Sequence, residues 1–282
     1  MKIARTAALC LPLISLPALA QALEQAGESL SATADRSPWS LRDSDRVFLI
    51  ATQADTLPAM SFRVGTVDQL QAVQGLGLGD GFDADVFADF APLSWLQVGL
   101  TINYGTLGDP STQDVVAPTA YIKAQLLRAE TSGVNLAAEV QYKKYGFGRP
   151  TDLHANDGEF EGMILLDRRF GRVASTFNAV FGKSTNVPDS DAEVKLGAGY
   201  YVLNNVLCGV DVLGRYDTSF DGGPKDGTRN WELTGGPMVT WKLDAVTLGV
   251  LAGVAAPMHA PTLATRSNGI GPTALAQASY GF

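Results

Sequence analysis

The sequence predicts an all-β fold, a 12-stranded antiparallel transmembrane β-barrel. Three observations predict it: apolar residues recur with period two, short and long connections alternate, and aromatic residues recur ten positions apart on one face. Composition sets the frame. The chain has 282 residues, 46% hydrophobic and 18% charged, with 2 Cys and 2 His. Acids outnumber Lys and Arg by 29 to 21, the wrong balance for a nucleic-acid partner held through its phosphates. With two Cys and two His, a multi-ligand zinc or iron–sulfur site is not expected. Neither a cofactor nor a metal is expected.

Residues 1–20 read as an export signal. Lys2 and Arg5 form a basic start, an apolar stretch follows from Ala7 to Leu16, and Ala18-Leu19-Ala20 supplies a small-residue cleavage site. Ala20-Gln21-Ala22 would serve as well, so cleavage follows Ala20 or Ala22. The apolar run is too short to span a bilayer, which distinguishes a Sec signal from an anchor. Cleavage removes Cys10 and leaves Cys208 alone, without an internal disulfide. Loss of Lys2 and Arg5 from the 21 bases leaves 19 against 29 acids, a net charge of −10.

Residues 21–56 are polar and mixed, with a short apolar run from Val47 to Ala51. They read as a periplasmic tail or a plug in the lumen. A strand here would be a thirteenth, and bacterial single-chain barrels keep an even number.

From residue 57 onward the pattern is that of strands. In Leu96-Gln97-Val98-Gly99-Leu100-Thr101-Ile102-Asn103-Tyr104 every even position is apolar and every odd one is small or polar. One face therefore meets apolar surroundings and the other polar ones. Twelve such segments are expected, near 59–67, 83–90, 95–104, 116–129, 135–145, 160–170, 173–182, 192–202, 206–216, 231–242, 245–256 and 272–282. Pro237, after Gly235-Gly236, predicts a bulge in the tenth. Connections after even-numbered segments are short, such as Gly171-Arg172; those after odd-numbered ones run to about nine to fifteen residues. That asymmetry describes an outer-membrane barrel with its turns in the periplasm. Phe160 and Phe170 share one face, as do Trp231 and Trp241. Ten tilted strand residues rise roughly 25 Å, the height of the apolar band between two aromatic girdles.

The chain ends Ala274-Leu275-Ala276-Gln277-Ala278-Ser279-Tyr280-Gly281-Phe282. A terminal Phe preceded by alternating apolar residues resembles the C-terminal signal of bacterial outer-membrane β-barrel proteins, the porin-like superfamily. The resemblance implies that Tyr280 and Phe282 form an assembly signal read by the barrel-assembly machinery. It also implies the outer membrane of a Gram-negative bacterium as location, with outer-membrane lipid and lipopolysaccharide around the wall.

Parity assigns the lumen. The polar face carries Arg63, Lys123, Lys143, Arg169, Lys195, Arg215 and Lys242, with Asp85, Asp89, Glu139, Glu161, Asp167, Glu193, Asp211 and Glu232. Seven bases against eight acids allow two readings: paired charges filling a narrow lumen, or a wet channel of little charge preference. Lys123 is expected opposite Glu139 or Gln141, and Glu193 near Arg215. One arc, with Val180, Gly249, Leu251 and Leu275, is less polar. On the lipid face, charges such as Arg128, Lys144 and Arg168 lie only at strand ends, where long side chains reach the headgroups. The loops are acidic, through Asp68, Asp80, Asp83, Asp109, Asp114, Asp152, Asp157, Glu159, Asp189 and Asp191, and above all Asp217, Asp221 and Asp226, an expected acidic rim.

The function this pattern favours is a narrow channel for passive passage of small solutes. The alternative is a closed structural barrel whose acidic loops bind something outside the cell. An outer-membrane lipid hydrolase comes third: its family carries a His two residues before the Ser, whereas Asn156 and Pro261 follow His154 and His259 at that spacing. No catalytic residue is assigned.

Overall fold

The computed structural model describes residues 45–71, 82–106, 115–144, 158–185, 190–218, 231–256 and 270–282. The chain divides into two units, Met1–Asp35 and Arg36–Phe282, and every described residue belongs to the second. The expected signal peptide and both histidines lie outside the described residues.

Twelve antiparallel strands close into a barrel. They are β1 Ser61–Gln71, β2 Phe82–Leu93, β3 Leu96–Thr106, β4 Val115–Leu127, β5 Asn135–Lys144 and β6 Gly158–Phe170, then β7 Val173–Ser184, β8 Ser190–Leu203, β9 Val206–Asp217, β10 Trp231–Leu243, β11 Val246–Ala256 and β12 Gly271–Gly281. Each pairs with its sequence neighbours, and β12 pairs with β1 to remove both edges. In a bilayer only such closure satisfies every strand N–H and C=O.

All five connections after even-numbered strands lie at one end. Four have two residues; the fifth, after β4, holds one helical turn, Ala129–Ser132. Gly171 and Asp244 open their turns with φ of 56° and 59°, the positive value that primed hairpin turns need at that position. At the other end, the connection between β7 and β8 has only five residues, shorter than the spacing predicts because both strands extend beyond their expected limits.

The wall registers place the alternation as the period requires. Outward side chains include Val86, Ile122, Val140 and Val254, each more than half exposed, a belt that suits lipid and not water. Phe62, Trp95, Tyr200 and Tyr280 ring the short-turn end; Tyr104, Phe160, Phe181, Tyr216 and Trp231 ring the other. The expected bulge at Pro237 is absent. Gly235↔Val254 and Met238↔Leu251 hold one register, and the β9 pairing runs through Pro237 without a shift. Proline removes one donor from the β10–β11 ladder, and Gly236 and Gly253 let the two backbones approach so closely that a Cβ on either would strike the opposite strand. The register shifts that do occur lie near short turns, at Phe90/Leu93, Gln125/Leu127 and Tyr201/Leu203.

Candidate functional site: the barrel lumen

Residues 45–57 lie inside the barrel, toward the short-turn end. Lys242 on β10 holds Asp45 in an ion pair at 2.8 Å, and across the lumen Gln97 on β3 accepts the Leu57 amide at 3.1 Å. Between these ends the segment has no secondary-structure partner, so its backbone polar groups need side chains from the wall. Asp211 accepts Ile50 N–H at 2.7 Å and Ala51 N–H at 3.2 Å. Asn178 accepts from Thr52 N–H and donates to Thr52 O, both at 2.7 Å. Asp167 accepts Ala54 N–H at 2.5 Å while Asn135 steadies its other oxygen at 2.7 Å. Lys123 donates to the carbonyls of Gln53 and Asp55, at 3.2 and 2.9 Å. Thr240 reaches Val47 O and Gln277 reaches Arg46 O. The clasp is contributed by β3, β4, β6, β7, β9, β10 and β12, so the segment is a plug fastened around most of the wall.

Apolar packing reinforces it. Val47, Phe48, Leu49 and Ala51 join Val67, Phe87, Tyr201, Leu207, Met238, Leu251 and Leu275 in one buried cluster. Ala54 joins Ala137, Met163, Leu165 and Val180 in another. The less polar arc seen in the sequence is therefore the seat of the plug. Gly249 leaves room for Leu49, and Gly197 for the Phe48 ring, which a Cβ there would strike.

A second network links plug to wall. Gln97 donates to Tyr121 at 2.6 Å, Tyr121 donates to Asp89 at 2.5 Å, and Asp89 accepts Arg63 through Nε at 2.9 Å and Nη2 at 2.6 Å. Each member has its partner, the condition under which a buried polar network rigidifies a structure.

Above the plug, toward the long connections, a cavity of about 380 Å³ remains. Arg63, Asp85, Asp89, Lys123, Glu139, Lys143, Glu161, Glu193, Lys195, Arg215 and Glu232 line it, together with Asp45, Arg46 and Asp55 of the plug. Four of the expected lumen residues lie lower: Asp167, Asp211 and Lys242 hold the plug, and Arg169 stacks over Tyr201 at the short-turn mouth, 4.1 Å from the ring centroid.

Pairing follows register only in part. Glu193 lies opposite Arg215, with oxygen and Nε 3.4 Å apart. Lys123 lies opposite Glu139, but its ammonium turns to the plug carbonyls, a set of acceptors invisible until the plug is placed. Arg215 also pairs with Asp191, and Lys195 with Glu193 at 3.1 Å.

Several residues expected in loops belong to strands. Asp83, Glu159 and Asp191 extend β2, β6 and β8 and turn inward, which raises the acids on the inward face from eight to at least eleven against seven bases. Asp68 lies within β1 on the outward face, near its long-connection end, and through Ala84 is in register with the girdle residue Tyr104. Asp217 is the last residue of β9, opposite Asp191; Asp221 and Asp226 lie outside the described residues. The plug partners Gln97, Gln125, Asn178, Thr240 and Gln277 were not singled out by sequence, since uncharged polar residues at inward parity look alike whether they face water or peptide.

No family model and no curated protein matches this sequence. Solved structures do match its fold. The NanC porin aligns with a TM-score of 0.57 at 4% identity, over 77% of this chain and 98% of its own. The KdgM porin gives 0.52 at 7%, over 78% and 99%. The chain has the fold of outer-membrane porin-like barrels. An outer membrane channel from Pseudomonas putida F1 gives 0.51 at 12% identity, over 81% of this chain and 98% of its own. At these identities the porin-like likeness is one of architecture, and function must be argued from the lumen.

Proposed function

We propose that this porin-like barrel is an outer-membrane channel of a Gram-negative bacterium for small solutes, throttled by the segment 45–57. The observation that carries this reading is the charged cavity of about 380 Å³ above the plug. A fold built only as a scaffold gains nothing from a wet, charge-lined space, whereas solute sites of this kind commonly measure ~300–1,000 Å³. The porin-like neighbours and the lipid-suited outer belt support the location. Sec export, insertion by the barrel-assembly machinery and contact with lipopolysaccharide belong to the same reading. Its activity is passage, with no catalytic step.

The closed structural barrel is the second reading, favoured by the wall contacts that fasten the plug. Planar-bilayer conductance separates the two. The channel reading expects small unitary steps from the full chain and larger ones when residues 45–55 are deleted. A silent bilayer for both proteins would leave the closed barrel.

A further inference from the structure

The charges around the upper cavity are unevenly matched. Its basic residues are largely engaged: Arg63 with Asp89, Lys195 with Glu193, Arg215 with Asp191 and Glu193, Lys123 with plug carbonyls. Lys143 lies in register with Glu159. Five lining carboxylates, Asp83, Asp85, Glu139, Glu161 and Glu232, have no base within the 4.0 Å of an ion pair among the described residues. Asp85 accepts from Asn103 at 2.9 Å and Glu161 from Gln141 at 2.5 Å, both uncharged donors. Glu232 stands in register with Arg215, whose guanidinium pairs instead with Asp191 and Glu193.

A separate observation points to a ligand. Thr234 lines the same cavity two residues below Glu232 on the inward face of β10. Its side chain is only 3% exposed, yet its Oγ1 has no hydrogen-bond partner. Buried hydroxyls rarely remain so. An unmatched hydroxyl beside unmatched carboxylates, in a cavity with low-dielectric walls, favours a cationic group that also accepts or donates a hydrogen bond. The described residues hold no group of three ligands for a metal ion. The carboxylates are spread over β2, β5, β6 and β10, which suits an extended organic cation better than a chelated metal.

We propose that the upper cavity is a binding site for a small organic cation carrying ammonium or guanidinium groups. Asp83, Asp85 and Glu232 supply the counter-charge, and the Thr234 hydroxyl the directional contact. As a statement of solute class the proposal rests on the channel reading, but binding is measured without it.

The test is calorimetric titration of the full chain in detergent at low salt with putrescine. The neutral 1,4-butanediol and the anionic succinate serve as controls. Saturable binding of putrescine alone is expected. The triple variant D83N/D85N/E232Q should weaken it by about tenfold or more, and Thr234→Val by a few-fold. Heat-dependent gel mobility reports whether the triple variant has folded; if it has not, Glu232→Gln alone carries the test and should weaken putrescine several-fold. Absence of putrescine binding, equal binding of the diol, or affinity unchanged in the folded variants overturns the site. Putrescine binding with a silent bilayer would sink the channel and keep the site; conductance without binding would do the reverse.

Discussion

The Asp211 carboxylate, fully buried on β9, accepts the amide of Ile50 at 2.7 Å. It takes Ala51 N–H as well, at 3.2 Å, so one wall side chain satisfies two adjacent plug donors that no strand could reach. Asp211→Ala should orphan both and cost ~1–3 kcal/mol. The expected result is a larger or more frequently open conductance, with unchanged heat-dependent gel mobility because the strand ladder is untouched. Conductance identical to wild type would show that other clasps hold the plug unaided.

Gly197 and Phe48 test the same seat by packing. The ring occupies the space where any larger residue 197 would place its Cβ, and the backbone of a paired strand cannot retreat to make room. Gly197→Leu should expel Phe48 and loosen the plug, while Gly197→Ala should do so more weakly. Single-channel recording of both should therefore show a graded rise in conductance. A decrease for the Leu variant would mean that the new side chain blocks the lumen itself.

Phe282 closes the seam of the barrel. Its amide donates to Phe62 O at 2.8 Å, and its ring lies 6.1 Å from Phe62 and 4.6 Å from Tyr280, centroid to centroid. Aromatic pairs of this kind contribute about 0.5–1.5 kcal/mol each. Phe282→Ala should lower the temperature at which the folded gel band is lost, and should reduce outer-membrane insertion while export continues. Unchanged insertion beside a lowered melting temperature would restrict Phe282 to the seam.

Topology is open to protease. β5 and β9 end, and β6 and β10 begin, at the end opposite the two-residue turns, with residues 145–157 and 219–230 between them in sequence. Surface protease on intact cells should cut there before it cuts Gly171-Arg172. The reverse preference would turn the barrel over.

Selectivity should reside more in the wall than in the rim. Rim charges act through a potential that decays over about 10 Å at 0.1 M salt, whereas carboxylates facing the cavity are screened less; the rim residues expected from the sequence are Asp217, Asp221 and Asp226. Reversal potentials across a salt gradient should show cation preference at low salt that fades at high salt. The D83N/D85N/E232Q variant should reduce it more than neutralising the three rim residues. Anion preference at low salt would show that Lys143, Lys195 and Arg215 set the field.

Strand number, strand limits to within a few residues and the face of nearly every strand residue were legible in the sequence, because a period of two repeats locally and a lipid wall tolerates few errors in it. The sequence therefore determined the barrel and the inward direction of residues such as Glu139 and Arg215. It also anticipated Glu193 beside Arg215, but tertiary structure decided which charges turn to the plug instead. Val47 to Ala51 stands out only as a short apolar run, and its seat is assembled from Val67, Phe87, Met238, Leu251 and Leu275, brought together by closure of β1 on β12. Lys123 looks like the partner of Glu139 until a peptide carbonyl arrives from 70 positions away. Asp83, Glu159 and Asp191 read as loop residues because each closely follows turn-forming residues, Gly79-Asp80-Gly81, Asn156-Asp157-Gly158 and Pro188-Asp189-Ser190, and is itself acidic. Their inward placement follows from hydrogen bonding to neighbouring strands, a non-local term that period and composition do not carry.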